Sequence, residues 1–421
     1  MKRIDFKWLG DRRPRAKERG QVTLLTVILL VMIVILAVTN YAGSGSTENN
    51  RNTADNSAQL ALVKTALLAY AANGRNPGPA ACGVNTNWRP GELPCPDLDN
   101  DGVEECLCTG SQRMGRVPWK TLGIAEPKDA AGETLWYAIS THFRAYNAYA
   151  GPVAINSDTK GSLAVWKDDM VSNLTTEAVA VLIAPGPAVS TQKRAAGVNE
   201  ACTQTGTTIA QNRCPNNYME TTSGGGQNWH NNGPFVMTLA TPAPEKFNDQ
   251  VLAITTADII PPIEQRVAKD VVALLKDYKR YSACTCFPWA DSDWDGSSNA
   301  SALYGNPPLV TALPEAWGSG TIPAMTSYLT TNNWWRVLFY AVGDRITAAP
   351  SAYMVLDLNG GGGNTSAVLI TPGPAGATRP STNWADYIAD SANRDGDINF
   401  ITPSSTAYSR NRLSSIAYPY P

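Results

Sequence analysis

Two stretches of this chain place a carboxylate at every second position and close on glycine: Asp97-Leu98-Asp99-Asn100-Asp101-Gly102 and Asp291-Ser292-Asp293-Trp294-Asp295-Gly296. Alternate carboxylates on a tight turn bring their oxygens toward one point. Three anions crowded together call for compensation, and a hard cation with all-oxygen ligation, such as calcium, supplies it. Neither loop has Glu at its twelfth position, where Cys108 and Ala302 stand. Glu104 and Glu105 offer further oxygens to the first loop; Ser297, Ser298 and Asn299 are all the second has. The expected ligands of a structural calcium are Asp97, Asp99 and Asp101, and Asp291, Asp293 and Asp295. The competing reading is an Asp-rich turn facing solvent.

Catalytic chemistry finds little to work with. Only His142 and His230 are present, and neither lies in a nucleophile or zinc motif. The glycine run 360–363 precedes a strand-like segment, whereas a phosphate cradle precedes a helix. A non-enzymatic protein is expected. Among the 12 tryptophans, Trp289, Trp294, Trp334 and Trp335 could form a sugar-binding platform, but tryptophans beside apolar strand residues belong more often to a core.

The 8 cysteines fall in tight groups, Cys82/Cys95/Cys106/Cys108, Cys202/Cys214 and Cys284/Cys286. An even count in close groups reads as disulfides formed in an oxidising compartment. Cys202 and Cys214 close a polar loop with no competitor nearby and are expected to pair. The first group allows three connectivities. One-residue spacing in Cys106-Leu107-Cys108 and Cys284-Thr285-Cys286 suits zinc poorly.

The net charge of −2 conceals an asymmetry. Residues 1–20 carry eight basic and three acidic side chains, a net of +5, which leaves −7 on the rest. A mildly acidic body excludes nucleic acid as a natural ligand. The uncharged run Val22–Val38, extended through Gln21 and Tyr41, reaches the roughly 20 residues that span a bilayer. With the basic flank before it, the N-terminus is expected in the cytoplasm and the remainder outside.

The segments that must position the Asp loops recur in order along the chain. Ala180-Val-Leu-Ile-Ala-Pro-Gly-Pro-Ala188 returns as Ala367-Val-Leu-Ile-Thr-Pro-Gly-Pro-Ala375, eight identities in nine positions. An apolar stripe of helical period at 57–72 is matched at 263–281, and the two Asp loops follow. Next, Gly115-Arg-Val-Pro118 is matched to Gly320-Thr-Ile-Pro323, Leu135–Ile139 to Leu338–Val342, and Phe247–Ile254 to Ser409–Ile416. Each unit reads as a helix, a turn-rich loop and short apolar strands, the second ended by Pro-Gly-Pro. A helix laid on a small antiparallel sheet buries such a set economically.

The junction Glu18-Arg19-Gly20-Gln21-Val22-Thr23-Leu24-Leu25 resembles the leader of type IV pilins and type II secretion pseudopilins. That resemblance implies cleavage by a prepilin peptidase between Gly20 and Gln21. The family usually starts its mature chain with Phe or Met and has Glu at the fifth position; here these are Gln21 and Leu25. Minor subunits at a filament tip are the members that lack this glutamate. The stretch Asp129–Tyr137 also resembles the pseudopilin D-P-W-G-x-x-Y segment, with Ala at the Pro and Trp positions and its Tyr two residues late.

The combined expectation is an α+β protein: an N-terminal transmembrane helix, then two repeated helix-plus-small-antiparallel-sheet units with long disulfide-tied loops. Its divisions are a basic leader (1–20), a membrane helix (21–41), a first pseudopilin-like repeat (42–262) and a second (263–421). It would be a single-pass protein of the bacterial inner membrane with a periplasmic or extracellular body. It would serve as a minor pilin or pseudopilin subunit of a type IV pilus or type II secretion filament. Its expected partners are the membrane, the prepilin peptidase and other pilin or pseudopilin subunits. The alternative function is a membrane-anchored, adhesin-like module binding through Trp-rich loops.

Overall fold

The computed structural model describes residues 51–73, 89–144, 154–167, 172–189, 192–221, 225–237, 247–281, 286–308, 327–343, 356–358, 365–376, 378–388, 390–395, 399–400 and 412–417. The chain divides into two compact units, Met1–Asp55 and Asn56–Pro421. Of the first, residues 51–55 are described, and they are helical.

Helix α1 covers 51–73 and buries Leu60, Val63, Leu67 and Ala71, a single stripe at steps of three and four. Helix α2 is Thr256–Tyr281, with Ile259, Ile263, Val267, Val271 and Leu274 on its buried side. It starts ahead of the expected Ile263, and Pro261 and Pro262 lie inside it. The Asp258 carboxylate caps that start: the Thr255 N–H and hydroxyl both donate to its Oδ2, at 2.9 and 3.0 Å. Two prolines cost the helix two backbone hydrogen bonds, and burying Ile259, Ile260 and Ile263 offsets that loss. The division expected at 262/263 therefore falls within a helix. Lys64 pairs with Asp258 at 2.6 Å and ties α1 to the start of α2.

Two sheets share one strand order. The first is β1 (Met114–Arg116), β2 (Trp136–Ile139), β3 (Ala180–Ala184) and β4 (Gln250–Ile254), all antiparallel and in chain order. The second is β5 (Tyr304–Gly305), β6 (Phe339–Val342), β7 (Thr365–Thr371) and β8 (Arg412–Ala417), also antiparallel and in chain order. Registers match as well. Gly115 faces Tyr137 and Tyr137 faces Leu182; Gly305 faces Tyr340 and Tyr340 faces Leu369.

The inner strands β2, β3 and β6 are apolar, and in the first sheet both faces are covered. In the first sheet, Tyr137, Ile139 and Leu182 join the cluster that holds α1, α2 and the second sheet. Trp136, Ala138, Val181 and Ile183 face the other way, into a cluster with Leu163, Val165, Tyr218 and Phe235. That second layer is a three-stranded sheet of Asn173–Ala178, Leu163–Trp166 and Phe235–Val236.

The expected fold class is thereby corrected. The described residues form a mixed α/β structure with five sheets, and Leu163–Trp166 with Phe235–Val236 and Asp357–Leu358 with Asn399–Phe400 pair in parallel. Segments read as loop supply strands, because the outer face of the first sheet needs an apolar cover. Among the described residues no helix is long and apolar enough to cross a membrane. That finding corrects the expectation of a single-pass inner-membrane protein. Charges interrupt α2 on its outer side, at Arg266, Lys269, Asp270 and Lys276. The leader, the expected span 21–41 and the Gly20–Gln21 junction lie outside the described residues.

Candidate functional site

Each Asp turn is fastened beside the outermost strand of a sheet. The Asp97 backbone exchanges two hydrogen bonds with Arg116, at 3.0 and 2.7 Å, and Asp291 does the same with Asn306, at 2.9 and 2.7 Å. The turn then wraps on the first carboxylate. Asp97 Oδ1 accepts from the Asp99 and Asn100 N–H groups (3.1 and 2.7 Å) and Oδ2 from Gly102 (2.7 Å). Asp291 Oδ1 accepts from Asp293 and Trp294 (3.2 and 2.8 Å) and Oδ2 from Gly296 (2.7 Å). Behind each turn a buried tyrosine donates to a proline carbonyl: Tyr137 to Pro94 at 3.1 Å and Tyr340 to Pro288 at 3.2 Å.

The ligand sets differ. Asp97, Asp99 and Glu105 bring one oxygen each within 4.8 Å of one another, and so do Asp291, Asp293 and Asp295. Asp101 is outside the first trio, and its Oδ1 accepts from the Val103 N–H at 2.7 Å. Glu105 takes its place because the chain doubles back, the Glu105 N–H reaching the Pro96 carbonyl at 3.4 Å. In the second turn, Asp293 Oδ2 also accepts from Asn299 Nδ2 at 3.1 Å.

Burial pushes the Asp97 carboxyl above its ordinary range, and the charge of Asp101 adds to this against the opposing backbone N–H bonds. Glu105 is raised by burial and then by Asp99, Asp97 and Asp101. Asp291 is raised mainly by burial. These are carboxyls whose ionised form a cation would favour. All-oxygen donors on a Gly-closed turn fit a calcium-sized ion.

A second repeated device follows each Pro-Gly-Pro. Arg194 donates to the Gly186 carbonyl at 2.8 Å and lies 4.4 Å over the Tyr218 ring. Arg379 donates to the Gly373 carbonyl at 2.9 Å and lies 4.5 Å over Tyr387. Arg116 packs on the same Tyr218 and on Trp136, 4.1 and 4.3 Å from their rings. Sequence reasoning missed these residues; the signal is an arginine soon after each Pro-Gly-Pro and a tyrosine later.

Other expected residues fall as follows. Trp334 and Trp335 are buried, and Trp294 sits edge-on to Phe339 at 5.8 Å, so this set builds core rather than a platform. His142 Nδ1 is 2.7 Å from the Lys160 carbonyl, and His230 Nδ1 accepts from the Asn232 N–H. Cys202 is bonded to Cys214 and Cys95 to Cys108, while Cys106 and Cys286 are also in disulfides. Gly305, not Gly320, occupies the place of Gly115, and 320–323 lie outside the described residues. No family model, no curated protein and no solved structure matches this chain.

Proposed function

We propose that the chain is a non-enzymatic subunit of the pilin or pseudopilin kind, acting through contact with other such subunits, with calcium bracing its Asp turns. The observation that carries this reading is the path from α1 to β2. The buried stripe of α1 joins the cluster around Tyr137, and the Asp129–Tyr137 stretch leads into β2. Asp129 organises that stretch: its Oδ1 accepts from the Ala131 and Glu133 N–H groups at 2.9 Å each. Its Oδ2 accepts from Gly186 at 2.8 Å, which pins the Pro-Gly-Pro turn after β3.

The Asp turns serve this role structurally. Each covers the outer edge of a sheet through its backbone pairing with Arg116 or Asn306, and a covered edge does not recruit strands at random. An ion on the Asp97 or Asp291 turn would stiffen those edges. Co-expression with a prepilin peptidase tests the reading. The intact mass should fall by residues 1–20, and Gly20→Ala should prevent the loss. A chain left whole by a peptidase that processes a control pilin would overturn it.

A further inference from the structure

Asp249 lies immediately before β4 and is fully buried. Its Oδ2 accepts from the Glu220 N–H at 3.1 Å and from Asn228 Nδ2 at 3.0 Å, while Oδ1 has no hydrogen-bond partner. The buried Glu220 carboxyl belongs to the same cluster. Its Oε1 accepts from Gln192 Nε2 at 2.6 Å and its Oε2 from the Asn248 N–H at 3.2 Å. Three parts of the chain therefore meet on two acids: the Pro-Gly-Pro turn with Gln192, Glu220 with Asn228, and the approach to β4. Asn248 extends the junction by donating to the Pro187 carbonyl at 2.7 Å.

Among the described residues no cation faces the pair. Arg194 spends its guanidinium on the Gly186 and Asn217 carbonyls, Glu133 and Gln192 Oε1. Lys193 is exposed. Tyr218 is packed against Arg116 and Arg194, and the His230 ring is turned to the Asn232 N–H. Strands β3 and β4 carry no charged residue. Two ionised carboxylates buried together without a cation would bear both desolvation and mutual repulsion. A single proton relieves both and gives Asp249 Oδ1 a hydrogen to donate.

We propose that Asp249 and Glu220 hold one proton between them in the folded protein at neutral pH, forming a latch that joins these three segments and loosens when the proton leaves. Burial and then the charge of Glu220 push Asp249 well above the ordinary carboxylate range, and burial also raises Glu220. The sign follows from linkage. The unfolded chain gives up this proton above about pH 4, and the folded pair keeps it to higher pH. The latch's contribution is therefore complete at acid pH and declines as pH rises through the folded pair's titration.

Isotope-edited infrared spectroscopy of the full chain with labelled aspartate tests this directly. A protonated-carboxyl band should be present at neutral pH and be missing from Asp249→Asn. Its absence from the folded wild type, or its survival in Asp249→Asn, would overturn the proposal. Glu220→Gln supplies a second reading should Asp249→Asn fail to fold. The Asp249 band should then titrate at lower pH than in wild type, since the neighbouring charge is gone, and an unchanged titration would show that no pair exists. Thermal melts from mildly acid to mildly alkaline pH should fall in wild type and fall less steeply in Asp249→Asn, where the other buried carboxyls alone remain; parallel slopes would refute the latch.

Discussion

Gly305 stands so close to Asp291 that a Cβ on the glycine would lie 2.0 Å from the Asp291 carbonyl oxygen, and Gly115 repeats the relation with Asp97 at 2.4 Å. Both obstacles are backbone atoms held in a two-hydrogen-bond bridge, so neither can step aside cheaply. Gly305→Ala should cost roughly 1–3 kcal/mol, the usual range for overpacking a tight site. Gly115→Ala should cost about as much. Urea denaturation checks this, and wild-type midpoints for both variants would show that the edge bridges are soft.

Calcium should raise the melting temperature and a chelator should lower it. At a free concentration a hundredfold above the dissociation constant, a folded-state ligand adds about 2.7 kcal/mol. Replacing Asp97 and Asp291 together by Asn should abolish the response. Differential scanning calorimetry decides the matter, and a melting temperature indifferent to chelator removes calcium from the account.

The Cys202–Cys214 bridge closes a loop over a separation of 12 residues around the Asn199–Cys202/Thr207–Ala210 hairpin. Loop-closure entropy for that length is worth about 3 kcal/mol. The double Cys→Ser variant should lose stability of this order in chemical denaturation. A loss within a few tenths of a kcal/mol would mean that the hairpin holds without its staple.

Tyr137 and Tyr340 are fully buried and each satisfies a proline carbonyl. Tyr137→Phe and Tyr340→Phe should each cost about 1–2 kcal/mol, because the carbonyl is left without its donor in a place water does not reach. Stability should fall similarly in the two variants if the two sites are mechanically equivalent. A change in only one would show that the local surroundings, rather than the shared geometry, set the energy.

Much of the local structure was legible in the residues. The stripe Leu60, Val63, Leu67 announced α1, and the apolar runs at 135–140, 338–342 and 367–371 contain β2, β6 and most of β7. The D-x-D-x-D-G spacing announced two tight turns. Misreadings arose where burial elsewhere outweighed a local cue. The helical stripe read at 263–281 leaves out Pro261-Pro262, yet α2 begins at Thr256 and runs through both prolines, because Asp258 caps its start and three isoleucines around the prolines are buried. Gly320-Thr-Ile-Pro323 reads as the partner of Gly115–Pro118, yet Gly305 takes that place. Only the Asp291–Asn306 bridge and the register to Tyr340 distinguish the two.

What the amino-acid order determined alone is the set of features closed within about six residues: a carboxylate collecting the amides of its own turn, an apolar stripe on one helix, a proline-glycine stop after a strand. Such contacts depend on side-chain chemistry and spacing, and both are written in the chain. Tertiary structure alone decided that Glu105 rather than Asp101 completes the first acidic trio, that the tryptophans pack inward, and that Asp249 meets Glu220. Those outcomes depend on which distant surfaces exclude water from one another. That is a sum over the whole core, and no short stretch of residues contains it.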